Sequence, residues 1–61
     1  MKEYYILSVD LDPCIIADIR SLYTHIEHHL NRTRFYLDLD NPVHFAFHLK
    51  YSDLLHIVND I

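Results

Sequence analysis

Residues 34–50 read RFYLDLDNPVHFAFHLK, and how this stretch divides decides the fold. Phe35, Leu37 and Leu39 alternate with Arg34, Tyr36, Asp38 and Asp40. After Asn41-Pro42, the residues Val43, Phe45, Phe47 and Leu49 alternate with His44, Ala46, His48 and Lys50. A period of two marks a strand with one buried face, and Asp-Asn-Pro is turn chemistry. The stretch therefore predicts a β-hairpin. An odd loop at 40–42 keeps both apolar sets on one face, with Asp38 opposite His44 and Arg34 opposite His48.

Upstream, EYYILSV (3–9) is aromatic and β-branched, which predicts a strand. Asp12-Pro13 is a helix start: a capping carboxylate, then a residue whose missing N–H costs nothing in the first turn. From Cys14 to Leu30, residues Ile15, Ile16, Ile19, Leu22, Tyr23, Ile26 and Leu30 fall within one arc of a helical wheel. Asn31 is the expected C-cap. Downstream, SDLLHIVNDI (52–61) predicts a short terminal helix capped by Ser52.

The predicted order is β-α-β-β-α, an α+β chain of two layers in a single domain, 1–61. A right-handed crossover sets the first strand parallel to the second, with the third between them and antiparallel to both. The three-stranded sheet then has order 1-3-2, a ferredoxin-like half without its last strand. That leaves Tyr4, Tyr5, Ile6 and Leu7 on an open edge, apolar on both faces. Open edges recruit other chains, so the edge predicts a homodimer.

A chain of 61 residues buries only roughly 60% of its unfolded surface, and small domains of this kind gain stability from a metal or from oligomerisation. One cysteine allows no internal disulfide and suits a reducing compartment. No apolar run approaches a membrane span, and the first residues lack a signal-peptide core. A cytoplasmic setting is the expectation. Nine acids against five bases give a formal charge of −4. Phosphate-binding surfaces need clustered Lys and Arg, so direct nucleic-acid binding is not expected. A protein partner is.

Two Asp-Leu-Asp echoes, Asp10/Asp12 and Asp38/Asp40, end apolar runs as metal-binding carboxylate pairs do in phosphate-transfer enzymes. Asp12 is accounted for as a cap and Asp40 as a turn residue. Asp10 remains, and two copies would bring two such carboxylates together around Mg²⁺. His25 and His29 stand at i, i+4 on the expected helix and make a second candidate metal pair lacking a third ligand. Cys14 is eleven residues from His25, about 16 Å along a helix, so no Cys–His pair forms there. Glycine is absent, which removes phosphate-cradling loops and dinucleotide turns. No cofactor is expected.

The sequence thus predicts a small acidic protein-binding module without catalytic residues. The expected role is that of a homodimeric inhibitor of a larger machine such as a nuclease effector, as mobile elements use. Partner binding falls to Tyr36, Asp38, Asp40, His44 and His48 on the hairpin's outer face. Two alternatives stand beside it. One is a dimeric metal-dependent nuclease built on Asp10. The other is a histidine-rich, pH-responsive structural subunit, since protonating all six histidines would take the charge from −4 to about +2.

Overall fold

The computed structural model describes residues 1–58. Along the chain lie β1 (Lys2–Leu7), a 3-10 turn (Ser8–Asp10), α1 (Pro13–Arg20), β2 (Ile26–His28), β3 (Arg32–Leu37), α2 (Pro42–Lys50) and β4 (His56–Ile57). The chain is α+β. Its sheet has four strands in the order β2-β3-β1-β4, all neighbours antiparallel. With β3 between β1 and β2 and β4 on the far side of β1, this is the complete β-α-β-β-α-β ferredoxin-like arrangement.

Five expectations are corrected. The strand read at 35–39 is not parallel to the first with another strand between them: as β3 it is antiparallel to β1 and pairs with it directly, since the strand supposed to intervene is helix. Residues 43–49 are helix and not strand, so the 35–50 hairpin does not exist. Asn41 caps α2 by accepting a hydrogen bond from Val43 N–H at 2.9 Å, and Pro42 occupies the first turn. This is the signal that Asp12-Pro13 gives at α1, where Asp12 accepts from Ile15 N–H at 2.9 Å. The local start signal prevails over the alternating pattern, because a cap and a proline fix the first turn before side-chain periodicity counts.

The helix expected over 14–30 ends at Arg20. Leu22 N–H and Tyr23 N–H close tight bonds to Ile19 and Arg20 carbonyls, and Tyr23 then reverses the chain at φ 53°. Ile26–His28 leaves as β2 and pairs with Thr33–Phe35. The helix expected from Ser52 is a turn closed by Leu54 and Leu55 N–H on Tyr51 O, followed by β4; its expected last residues, 59–61, lie outside those described. Finally, β1 is not an open edge. It pairs with β3 along its length and with β4 through Tyr4↔Ile57 and Tyr5↔His56.

Both helices cover one face of the sheet. Tyr4, Ile6, Phe35 and Leu37 from the strands meet Ile15, Ile19, Leu22 and Phe47 from the helical side. Ile6, Phe35 and Leu37 are fully buried, each stabilising the fold by roughly 1.5–3 kcal/mol relative to exposure. Phe35 and Phe47 meet edge to face at 5.6 Å, tying α2 to the central strand. Tyr4 and Ile6, expected on a dimer edge, are core residues.

Candidate protein-interaction surface

The nine residues of α2 carry apolar side chains on both faces. At 100° per residue, His44, Phe47, His48 and Tyr51 share the inner face. The outer face presents Val43, Phe45, Ala46 and Leu49, with Pro42 and Lys50 at its ends. Val43 is 56%, Phe45 46% and Leu49 60% exposed. A helix on a solvated surface normally turns polar residues outward. Here only Lys50 does so.

One inner position is polar. His44 is 7% exposed, and its ring joins three elements. Nδ1 accepts from Asp38 N–H at 2.9 Å, which obliges Nε2–H to donate to Leu22 O, also at 2.9 Å. The imidazole thus ties the end of β3 and the end of α1 to the first turn of α2. A buried carbonyl and a partly buried N–H are satisfied by one side chain, which fixes where α2 sits.

Beside the outer face, a groove of about 200 Å³ separates the end of α1 from α2, lined by Asp18, Leu22, Val43, Phe47, Lys50 and Tyr51 among others. The Tyr51 hydroxyl and the Lys50 ammonium, the latter at 3.1 Å, both donate to one oxygen of Asp18. Tyr51 first, then Lys50, hold the Asp18 carboxyl below its ordinary 3.8. In return the carboxylate raises Lys50 above 10.5 and Tyr51 above 10.0. All three groups are occupied in pinning α1 to α2. Tyr23 follows directly on the groove residue Leu22. It is 95% exposed in a left-handed conformation costing a non-glycine residue about 1–2 kcal/mol.

The sheet's uncovered face is, by contrast, satisfied from within. Arg34 binds Glu3 through Nε at 2.6 Å and through its terminal nitrogen at 2.5 Å. Tyr5 has His56 stacked against it at 4.9 Å, and the Arg32 guanidinium lies 5.1 Å from its centroid. Tyr5 is thus in contact with two neighbours of its own chain.

Of the expected partner patch, the structure brings Asp38, Asp40 and His44 together and places Tyr36 and His48 elsewhere. Tyr36 lies on the uncovered sheet face opposite Glu3. Asp38 and Asp40 lie in the β3–α2 turn, where Asp38 Oδ1 accepts from Asp40 N–H at 3.2 Å. His44 is interior, and His48 is half-buried, edge-on to Tyr4 at 5.7 Å. The premise for a His25/His29 metal pair also fails. They flank β2 in extended chain, about 13 Å apart, and are not one helical turn apart. Asp10 stands in the 3-10 turn after β1. Among the described residues, no three His, Cys, Asp or Glu side chains are grouped to hold a metal. Cys14 is exposed in the first turn of α1.

Sequence reasoning missed Val43, Phe45 and Leu49 as surface residues because it placed them on a strand's buried face. Reading Asn41-Pro42 as a helix cap would have exposed them. Among the described residues no helix is long and apolar enough to cross a membrane. No family model, curated protein or solved structure matches the chain.

Proposed function

We propose that the protein works by binding another protein through the outer face of α2. The observation that carries this reading is the contiguous exposure of Val43, Phe45 and Leu49 on one helix whose other face is already committed to the core. An amphipathic helix presenting such residues docks into an apolar surface, and its aromatic member is the anchor. The strained, exposed Tyr23 near the groove supports the same face. Tyrosine is favoured at interfaces, and glycine would meet no steric cost at that position. What supports a partner that handles nucleic acid, and an inhibitory role toward it, is the formal charge of −4 alone.

The test is site-specific photo-crosslinking in cells, with a benzophenone amino acid at Phe45 or Leu49 and a control at Arg20, exposed on the other helix. Protein adducts at 45 and 49, absent at 20 and lost on adding Ala46→Glu, are the expected result. A chain that forms no protein adduct at either α2 position refutes the reading.

A further inference from the structure

The occupant of this surface can be named from its symmetry and charge. Helix α2 has opposite charges at its two ends. Asp38 and Asp40 precede its first turn, and Lys50 closes its last, its side chain 64% exposed even while bound to Asp18. Ala46, the smallest residue of the outer face, stands at its middle. Phe45 and Leu49 flank it on one side, and Val43 with the Lys50 stem flanks it on the other. A two-fold axis through Ala46 sets two such helices antiparallel. Phe45 of each copy then packs on Leu49 of the other, and Lys50 of each reaches the other's Asp40. Every contact is made twice, as an isologous interface requires. The helix dipoles also oppose, which favours the antiparallel sense. Asp40 has no ion pair within its own chain among the described residues, and a lysine ammonium has donors left over after meeting Asp18.

We propose that the α2 face is occupied by a second copy of this chain, in an antiparallel α2–α2 homodimer centred on Ala46. This rests on the protein-binding reading and names its partner. A helix about 13 Å long cannot cover the roughly 800 Å² per partner of a standard interface. The dimer is therefore weak, half-formed at a concentration on the order of 100 µM. It carries twice the acidic charge of one chain on a single particle.

Sedimentation equilibrium from 5 µM to 1 mM, with thermal melting to verify the fold of each variant, tests the proposal. Wild type is expected to pass from monomer to dimer, and Leu49→Glu to stay monomeric. Asp40→Lys is expected to raise the dissociation constant about tenfold, since it turns two attractive contacts repulsive. Adding Lys50→Glu to it restores association only if each Lys50 meets the other copy's residue 40. Orientation is read separately by oxidative cross-linking after Cys14→Ser. With Ala46→Cys the two thiols meet on the axis and cross-link. With Pro42→Cys they stand about 12 Å apart along the helices, beyond disulfide reach, and do not. A monomer at 1 mM, a dimer unaffected by Leu49→Glu, or equal cross-linking at 42 and 46 would overturn the proposal. In that case photo-crosslinking still decides the parent reading: adducts of twice the chain's mass belong to a homodimer, and adducts of other mass to a different protein.

Discussion

His44→Phe removes the joint that holds α2 in place while keeping a ring of similar size. Two hydrogen bonds disappear, and their partners stay where they were. Leu22 O is buried in its contact with the ring, so it is left unsatisfied at a cost of about 1–3 kcal/mol. Asp38 N–H is only partly buried, and water recovers some of its bond, leaving a loss of about 1 kcal/mol. The expected destabilisation is thus about 2–4 kcal/mol. At roughly 0.05–0.15 kcal/mol per residue, 61 residues give a total stability of about 3–9 kcal/mol, so the variant loses a large share of it. Urea unfolding followed by far-ultraviolet circular dichroism reads this directly. With a slope of about 1 kcal/mol/M, the midpoint falls by about 2–4 M. Two further variants assign the loss to its parts. The amide nitrogen of His44→Gln takes the place of Nε2 and restores the Leu22 contact. The amide oxygen of His44→Asn takes the place of Nδ1 and restores the Asp38 contact. Both should fall between wild type and His44→Phe. If His44→Phe lies within about 0.5 kcal/mol of wild type, the two contacts carry no net energy and the reasoning fails.

Tyr23→Gly should raise stability by about 1 kcal/mol, because it relieves the left-handed strain and a 95% exposed ring has no packing to lose; a lower melting temperature would show that the ring is held by the fold. The Asp18 carboxyl is depressed in the folded state, so its contribution is complete above the ordinary 3.8 and disappears as pH falls through the folded value. Lys50 and Tyr51 are raised, so theirs is complete below about pH 10 and disappears as pH rises through their folded values. Tyr51→Phe removes the larger cause of the Asp18 shift, so the acid limb of a stability–pH curve, which begins near the ordinary 3.8 in both proteins, should be shallower and level off at higher pH; an unchanged limb would show that the bond does not persist in solution. Asp12→Ala and Asn41→Ala should each cost about 1 kcal/mol through loss of a cap, measured by the same urea titration, and a neutral Asn41→Ala would mean that Pro42 alone starts α2.

The parts of the fold legible in the sequence are those where a local signal and a periodic one agree. Strand β1 is aromatic and β-branched and is bounded by acids. Helix α1 combines the Asp12 cap, Pro13 and the apolar set Ile15, Ile19 and Leu22, all three of which are buried. The place of β3 was not legible: crossover handedness applied to the wrong pair of strands set it parallel to β1 with another strand between, whereas it is antiparallel to β1 and pairs with it directly. The end of α1 was not legible, because the usual mark of a reversal is a glycine and the chain has none. Tyr23 takes that role at a cost in strain, and Ile26 and Leu30 continue the helical wheel by coincidence. Strand β4 was hidden because two residues, His56 and Ile57, carry no period at all. The interior role of His44 was hidden as well, since a tautomer held by two backbone partners leaves no trace in residue spacing.

The misreading of residues 43–49 and the candidate surface have one cause. A helix that buries one face and wets the other shows apolar residues at intervals of three and four, and Asn41-Pro42 would then have been read as its cap. Here Phe47 and the half-buried Tyr51 satisfy that rule, while Val43, Phe45 and Leu49 fill alternate positions on the wet side. Their overlay produces the period of two. Changing Phe45 and Leu49 to Lys and Gln would restore a plain amphipathic pattern and leave the inner-face residues His44, Phe47 and Tyr51 as they are. The fold should then be as stable as before, and what is lost should be association alone. A double variant that melts well below wild type at concentrations where both are monomeric would place those side chains in the fold itself. The period of two would then mark a packing requirement, and α2 would present no surface for a partner.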